Sequence, residues 1–211
     1  MATAQKAMGS MQRLKEDFAT VRSVAGLFRL RAAGDAQRVA AVRKTSGAWK
    51  PLTWAELAGM GEDAAWGLIA LGVKPGDKVS LVGSTRIEWT VADLGVAHAG
   101  GVSVPIYHSN TAEEIRYIVQ NSGAMLVFAE DDKQLRKLRE ERARLPAVRH
   151  VVLLEGEATA SGRCLSRSWW RAGRSTRRAS RASCSSAWSS SAATSCRPSC
   201  TRAARQARRR A

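Results

Sequence analysis

Apolar positions recur first at helical spacing, then at strand spacing, in regular succession through residue 156. Leu14, Phe18, Val21, Val24, Ala25, Phe28 and Ala32 share one side of a helix predicted over 14–33, which Gly34 ends. Arg38 to Lys44 alternates like a strand, and Thr45-Ser46-Gly47 reads as a turn into Trp49. Three further helices are marked by one device: Thr53-x-x-Glu56, Thr85-x-x-Glu88 and Thr111-x-x-Glu114 each set a hydroxyl three residues before a carboxylate. In a capping box those two side chains satisfy N–H groups that the first helical turn leaves open. The helices are expected to run from Thr53 to Leu71, from Arg86 to His98 and from Ala112 to Asn121. Pro75-Gly76-Asp77 is a turn, and Lys78–Val82, Val102–Ile106, Met125–Ala129 and Arg149–Leu154 read as short strands. Asp131 to Arg144 reads as a highly charged helix with a solvated face and no apolar stripe. The expected fold class is therefore α/β, with alternating helices and mainly parallel strands in layers.

Beyond Glu157 the pattern stops. No Asp, Glu, Lys, Val, Ile, Met, Phe, Tyr, Asn or His follows, while Arg, Ser and Ala crowd in and all four cysteines appear. Such a palette does not build a core, so a disordered tail is expected over 157–211. Charge divides at the same place: 13 of the 34 basic residues and none of the 18 acidic ones lie past Glu157, which leaves the preceding part at +3. The basic isoelectric point thus belongs to the tail. The expected organisation is an N-terminal extension over 1–20, a folded part over 21–156 and the low-complexity tail over 157–211.

A tail of this kind is what GC-rich coding DNA gives when it is translated one base out of step. Codons that spell Ala193 to Ala211 can be written so that, begun one base early, they read DELPTIVYTSGTTGAPKG; Cys164 to Gly173 can likewise read VSLEELVARG. The hidden segment YTSGTTG-x-PKG resembles the phosphate-binding signature of AMP-forming acyl-adenylate enzymes. A Ser/Thr/Gly-rich loop offers hydroxyls and open N–H groups to polyphosphate oxygens, and its Lys adds a charge.

The printed residues carry the same resemblance. Leu52-Thr53-Trp54-Ala55-Glu56-Leu57 is similar to the first core motif of that superfamily, with Trp54 where Tyr is usual. Leu71-Gly72-Val73-Lys74-Pro75-Gly76-Asp77-Lys78-Val79 resembles its Gly-Asp turn, and Ala99 to Tyr107 its second core motif. Arg86-Ile87-Glu88-Trp89 and Pro105-Ile106-Tyr107, followed by Ser109 to Glu114, are most similar to the long-chain fatty acid–CoA ligase branch. The resemblance implies the N-terminal part of an adenylate-forming large domain. It further implies that fatty acid and ATP give an acyl-adenylate, and that coenzyme A then takes the acyl group. ATP, Mg2+ and coenzyme A are implied for the full-length family and none of them for this fragment.

Catalytic, cofactor-binding and metal-binding residues are each expected to be absent, because the motifs present cap, turn and pack. His98 and His108 read as packing or loop residues, since spacing brings neither a nucleophile nor an acid beside them. Cys164, Cys184, Cys196 and Cys200 lack the paired spacing of a zinc site. Nor does any strand lead into G-x-G-x-x-G, which disfavours a small Rossmann-type enzyme. The longest mostly apolar stretch, Val91 to Tyr107, is interrupted by Asp93, His98 and three glycines, so no transmembrane segment is expected and the cytoplasm is the default. The expectation is a truncated, inactive fragment of a long-chain fatty acid–CoA ligase. The alternative is an α/β module whose basic tail, ending in Arg208-Arg209-Arg210, binds nucleic acid or another polyanion.

Overall fold

The computed structural model describes residues 23–45 and 47–156, together with Ala19, Val21 and the backbone of Cys164–Leu165. The chain divides into two compact units at Gly59 and Met60.

The first unit holds a helix and a hairpin. Helix α1 (Val24–Gly34) starts where the Ser23 hydroxyl accepts from the Gly26 N–H at 3.1 Å. Ala19 is helical and Val21 is not, so the expected single helix is broken before this cap; the rest of its first half lies outside the described residues. Strands β1 (Val39–Thr45) and β2 (Ala48–Thr53) pair antiparallel, with a bulge between Val39 and Ala41. β2 is a strand the sequence reading missed. Lys50 and Pro51 hid its alternation, but Pro51 sits in a ribbon of two strands, where a lost donor can face open space. The box at Thr53 forms as expected: Glu56 accepts from the Thr53 N–H at 2.8 Å, and the Thr53 hydroxyl accepts from the Glu56 N–H at 3.2 Å. It opens helix α2 (Trp54–Ala70), whose turns up to Gly59 belong to this unit.

The second unit is a five-stranded parallel sheet in the order β4-β3-β5-β6-β7. Its strands are β3 (Lys78–Val82), β4 (Val102–Ile106), β5 (Leu126–Ala129), β6 (His150–Leu153) and β7 (Cys164–Leu165). Helices α3 (Ile87–His98), α4 (Ala112–Ser122) and α5 (Asp132–Glu140) connect them, and a short 3-10 turn, Arg142–Arg144, follows α5. From β3 the chain moves to one side for β4, then back past β3 to β5 and onward. Right-handed crossovers therefore put α3 on one face of the sheet and α4 with α5 on the other. The core agrees, since Ile115 and Val119 of α4 and Leu135 and Leu138 of α5 cluster with Val82, Val127 and Leu153.

Two expectations are corrected here. The charged stretch 131–144 is not one helix with a solvated face: α5 ends at Glu140, and Gln134, Leu135 and Leu138 form a buried stripe. Thr85 does not cap α3, which begins from Arg86 without a side-chain cap; Glu88 bonds Arg86 Nε at 2.9 Å instead. The sheet also continues past the expected last strand. Val151 and Val152 pair with Cys164 and Leu165, a ladder that needs only backbone groups and so could not be excluded by composition. The remainder of the expected tail lies outside the described residues.

β4 is an edge and carries Pro105 in its interior. The Val102 N–H donates to Asp77 and the Ile106 carbonyl accepts from Gly83, so even-numbered residues of β4 bond towards β3. Pro105 faces away, where a missing N–H costs no ladder bond and blunts further pairing.

Helices α2 and α3 approach closely where Gly95 meets Ala64, since a Cβ built on Gly95 would lie 2.6 Å from Ala64 Cβ. Gly95→Ala should lower stability by about 1–3 kcal/mol in urea unfolding. Gly59→Ala, with nothing within 4 Å of the added carbon, should be neutral or stabilise by about 0.5–1 kcal/mol. Equal effects of the two substitutions would refute the close-packing account. Glu56 supplies a second check. The Thr53 backbone and side-chain hydrogen bonds hold its carboxyl below the usual range, so its contribution to stability is present above the unfolded carboxyl pKa and is lost as pH falls through the lower folded value. NMR titration should show a depressed Glu56 midpoint that rises in Thr53→Ala, the backbone bond included because the cap geometry loosens.

Candidate binding site at the strand carboxyl ends

In an open parallel sheet, loops leaving neighbouring strands in opposite directions open a crevice at the strands' carboxyl ends. Here β3 and β5 are those strands. A cavity of about 490 Å³ lies on the other side of β3, between the ends of β3 and β4, lined by Gly83, Ser84, Thr85 and Trp89 after β3 and by Pro105, Ile106, Tyr107 and His108 at the end of β4. Ile106 is buried at its floor, whereas Tyr107 is 78% exposed at its mouth.

The wall after β3 is fixed by ion pairs. Glu130, the first residue after β5, accepts from the Ser84 N–H at 2.8 Å and from the Ser84 hydroxyl. A Cβ on Gly83 would stand 2.9 Å from Glu130 Cβ, so a side chain there would push the two strand ends apart. Arg86 then gathers three carboxylates: Glu88 at 2.9 Å, Glu155 at 2.5 Å and Glu130 at 3.6 Å. Burial alone would pull the guanidinium pKa down. The bonds to Glu155 and Glu88 more than offset that and hold it above its usual range.

The opposite wall is held from beneath. Gln134 Nε2 and Lys137 Nζ both donate to the His108 carbonyl, at 3.1 and 2.9 Å, and Lys137 also reaches the Asn110 carbonyl. Two polar residues of α5 thereby fix the loop that presents Tyr107 and His108.

Of the residues singled out in the sequence, His108 lies on the exposed rim and His98 lies half-buried at the end of α3, its ring carbon Cδ2 3.6 Å from where a Cβ on Gly61 would lie. The two are not brought together in one site. Cys164 belongs to β7, and Cys184, Cys196 and Cys200 lie outside the described residues. Among the described residues no group of three or more His, Cys, Asp or Glu is placed to hold a metal ion, and no helix is long and apolar enough to cross a membrane. Sequence reasoning missed the roles of Ser84, Trp89, Glu130 and Glu155. It did carry a signal for Trp89, because Arg86–Trp89 and Pro105–Tyr107 stood out as motifs and the fold brings residues of both to one cavity.

These features define a parallel α/β unit with a cavity at the carboxyl ends of β3 and β4. The AMP-binding enzyme family matches residues 28–191, well over half of the chain, and the chain belongs to that family. A long-chain-fatty-acid–CoA ligase of Mycobacterium bovis, FadD15, is 40% identical over 114 residues, which are 54% of this chain and 19% of that protein. The chain thus spans about a fifth of that relative's length and resembles its family's N-terminal part. An uncharacterized Mycobacterium tuberculosis protein, Rv1549, is 33% identical over 120 residues, covering 57% of this chain and 66% of its own length. Among solved structures, the anthranilate CoA ligase AuaEII in complex with anthranoyl-AMP aligns with a TM-score of 0.63 at 22% identity, over 71% of this chain and 28% of that one. At that identity the likeness speaks for the fold.

Arg86→Ala should lower stability by about 1–3 kcal/mol, because it takes the cation from Glu88 and Glu130, whose side chains are largely buried. Arg86→Lys should recover only part of the loss, as one ammonium cannot reproduce the guanidinium fork. Thermal unfolding of both variants checks this, and full recovery by Lys would argue against the clasp.

Proposed function

We propose that residues 21–156 are the N-terminal portion of a long-chain fatty acid–CoA ligase, and that the 211-residue chain has no ligase activity of its own. The observation that carries the first part is the 40% identity over 114 residues to a long-chain-fatty-acid–CoA ligase. In the proposed parent reaction, the fatty acid carboxylate attacks the α-phosphorus of ATP, pyrophosphate leaves, and the coenzyme A thiol then displaces AMP. This unit would serve as the scaffold against which such chemistry is assembled in the cytoplasm.

The second part rests on residue content. No YTSGTTG-x-PKG segment is printed in frame, and the described carboxylates do not suit Mg2+. Glu88, Glu130 and Glu155 are each turned to Arg86, and among the described residues no group of three or more His, Cys, Asp or Glu is placed to hold a metal ion. No reaction step is therefore assigned to them. What stands past Glu157 is read as the product of a one-base shift.

The test couples an assay to the coding DNA. The purified chain, given ATP, palmitate and coenzyme A, should form neither acyl-CoA nor a hydroxylamine-trapped adenylate. Sequencing from codon 154 onward should reveal one inserted or missing base before codon 164, and its repair should restore the adenylation motif. Acyl-CoA formed by the unrepaired chain would falsify the inactivity. An unshifted gene with no such motif downstream would leave the arginines as a genuine polyanion-binding extension.

A further inference from the structure

No Asp, Glu, Lys or Arg lines the cavity between the ends of β3 and β4. Trp89 and Ile106 make it apolar, Ser84 and Thr85 add hydroxyls, and Tyr107 stands exposed at the mouth. Such a lining suits a neutral ring with one polar edge. A buried indole keeps its body among apolar side chains and gives its N–H to an acceptor, here a hydroxyl oxygen.

The chain carries two such rings towards the same end of the sheet. β7 runs parallel to β6, so Leu165 leaves the sheet at the end where the cavity opens. Neighbouring strands stand about 4.8 Å apart, which puts β7 about 14 Å from β3 and about 17 Å from the middle of the β3–β4 gap. Trp169 and Trp170, outside the described residues, are the fourth and fifth residues after Leu165. At about 3.3–3.6 Å per extended residue they reach about 13–18 Å, the distance required. Successive side chains of an extended segment point to opposite sides, so one of two adjacent tryptophans faces the sheet in either register.

Charge agrees with this path. It crosses the ends of β6 and β5, where the Glu155 side chain is 56% exposed and the Asp132 carboxylate lies beside Gly156. Three carboxylates around Arg86 leave that surface negative. The segment that crosses it carries Arg167, and no acid follows Glu157.

We propose that residues 166–170 of this chain cross the carboxyl ends of β6 and β5 and seat an indole, that of Trp169 or Trp170, in the cavity between β3 and β4. A partner protein or a second copy would bring its ring from solution, whereas so short a tether holds these two at about millimolar effective concentration. The docking does not rest on the ligase reading.

The test reads nuclear Overhauser cross-peaks in the full chain with 13C-labelled isoleucine methyl groups, at Ile106 on the cavity floor. Trp89 gives cross-peaks of its own there, so the comparison is with the double variant Trp169→Ala, Trp170→Ala, in which Trp89 stays. The wild type should show indole cross-peaks to Ile106 that the double variant loses, with circular dichroism unchanged. Arg167→Glu should weaken the same cross-peaks about twofold or more. Identical Ile106 cross-peaks in the wild type and the double variant would overturn the proposal, whether the cavity then holds another segment or no ring at all. Cross-peaks that arise only between labelled and unlabelled chains in an isotope-filtered spectrum would also overturn it, since the occupant would then be a second copy. Full intensity in Arg167→Glu would overturn the path across Glu155.

Discussion

β3 is the strand on which the second unit depends. It bonds β4 on one side and β5 on the other, and its Val79, Leu81 and Val82 are almost fully buried. Because the chain leaves it first towards one side and later returns to the other, the loops after β3 and β5 must diverge. The cavity opens on the other flank of β3, between its loop and the end of β4. The strand tolerates little that is polar: Ser80 is buried with no hydrogen-bond partner for its hydroxyl among the described residues, a local cost borne by an otherwise apolar ladder.

Diverging loops need something to hold them, and here it is charge rather than hydrophobic contact. Arg86 draws together carboxylates that follow β3, β5 and β6, in a setting partly shielded from solvent. The arrangement carries three acids against one base, so it tolerates Arg86 only as a cation and leaves no vacant ligand set for another. On the far wall the same role falls to backbone carbonyls, which Gln134 and Lys137 collect from the loop after β4. The helix that looked like a solvated face is thereby amphipathic in a particular sense: its buried stripe packs the core while its polar residues at the stripe's margin position a loop.

What could be read from the sequence follows from how local each determinant is. The boxes at Thr53 and Thr111 involve groups three residues apart, and both form. The identical pattern at Thr85 fails, because Glu88 finds in Arg86 a charged donor that outcompetes a hydroxyl and a backbone N–H. Strands β3 and β4 were legible as short apolar runs between turns. β2 was not, since its partner across the hairpin, rather than its own alternation, makes it a strand. The cavity wall was legible as two motifs and illegible as a site, because Glu130 and Glu155 join Arg86 only through the sheet's register, at separations of tens of residues. β7 lay beyond sequence reasoning for another reason. A parallel ladder is indifferent to side chains, and the argument about that stretch was wholly about side chains.

The same division between backbone and side-chain chemistry describes what ties the chain to its family. The residues that tie this chain to the AMP-binding enzymes cap helices, turn corners and brace strand ends, and each such task is completed within the unit. At the crevice, three carboxylates around one guanidinium leave an excess of negative charge, which repels a phosphate. Stabilising a transition state at phosphate calls for preorganised donors aimed at the developing charge, and Arg86, the cation of this network, is committed to its carboxylates.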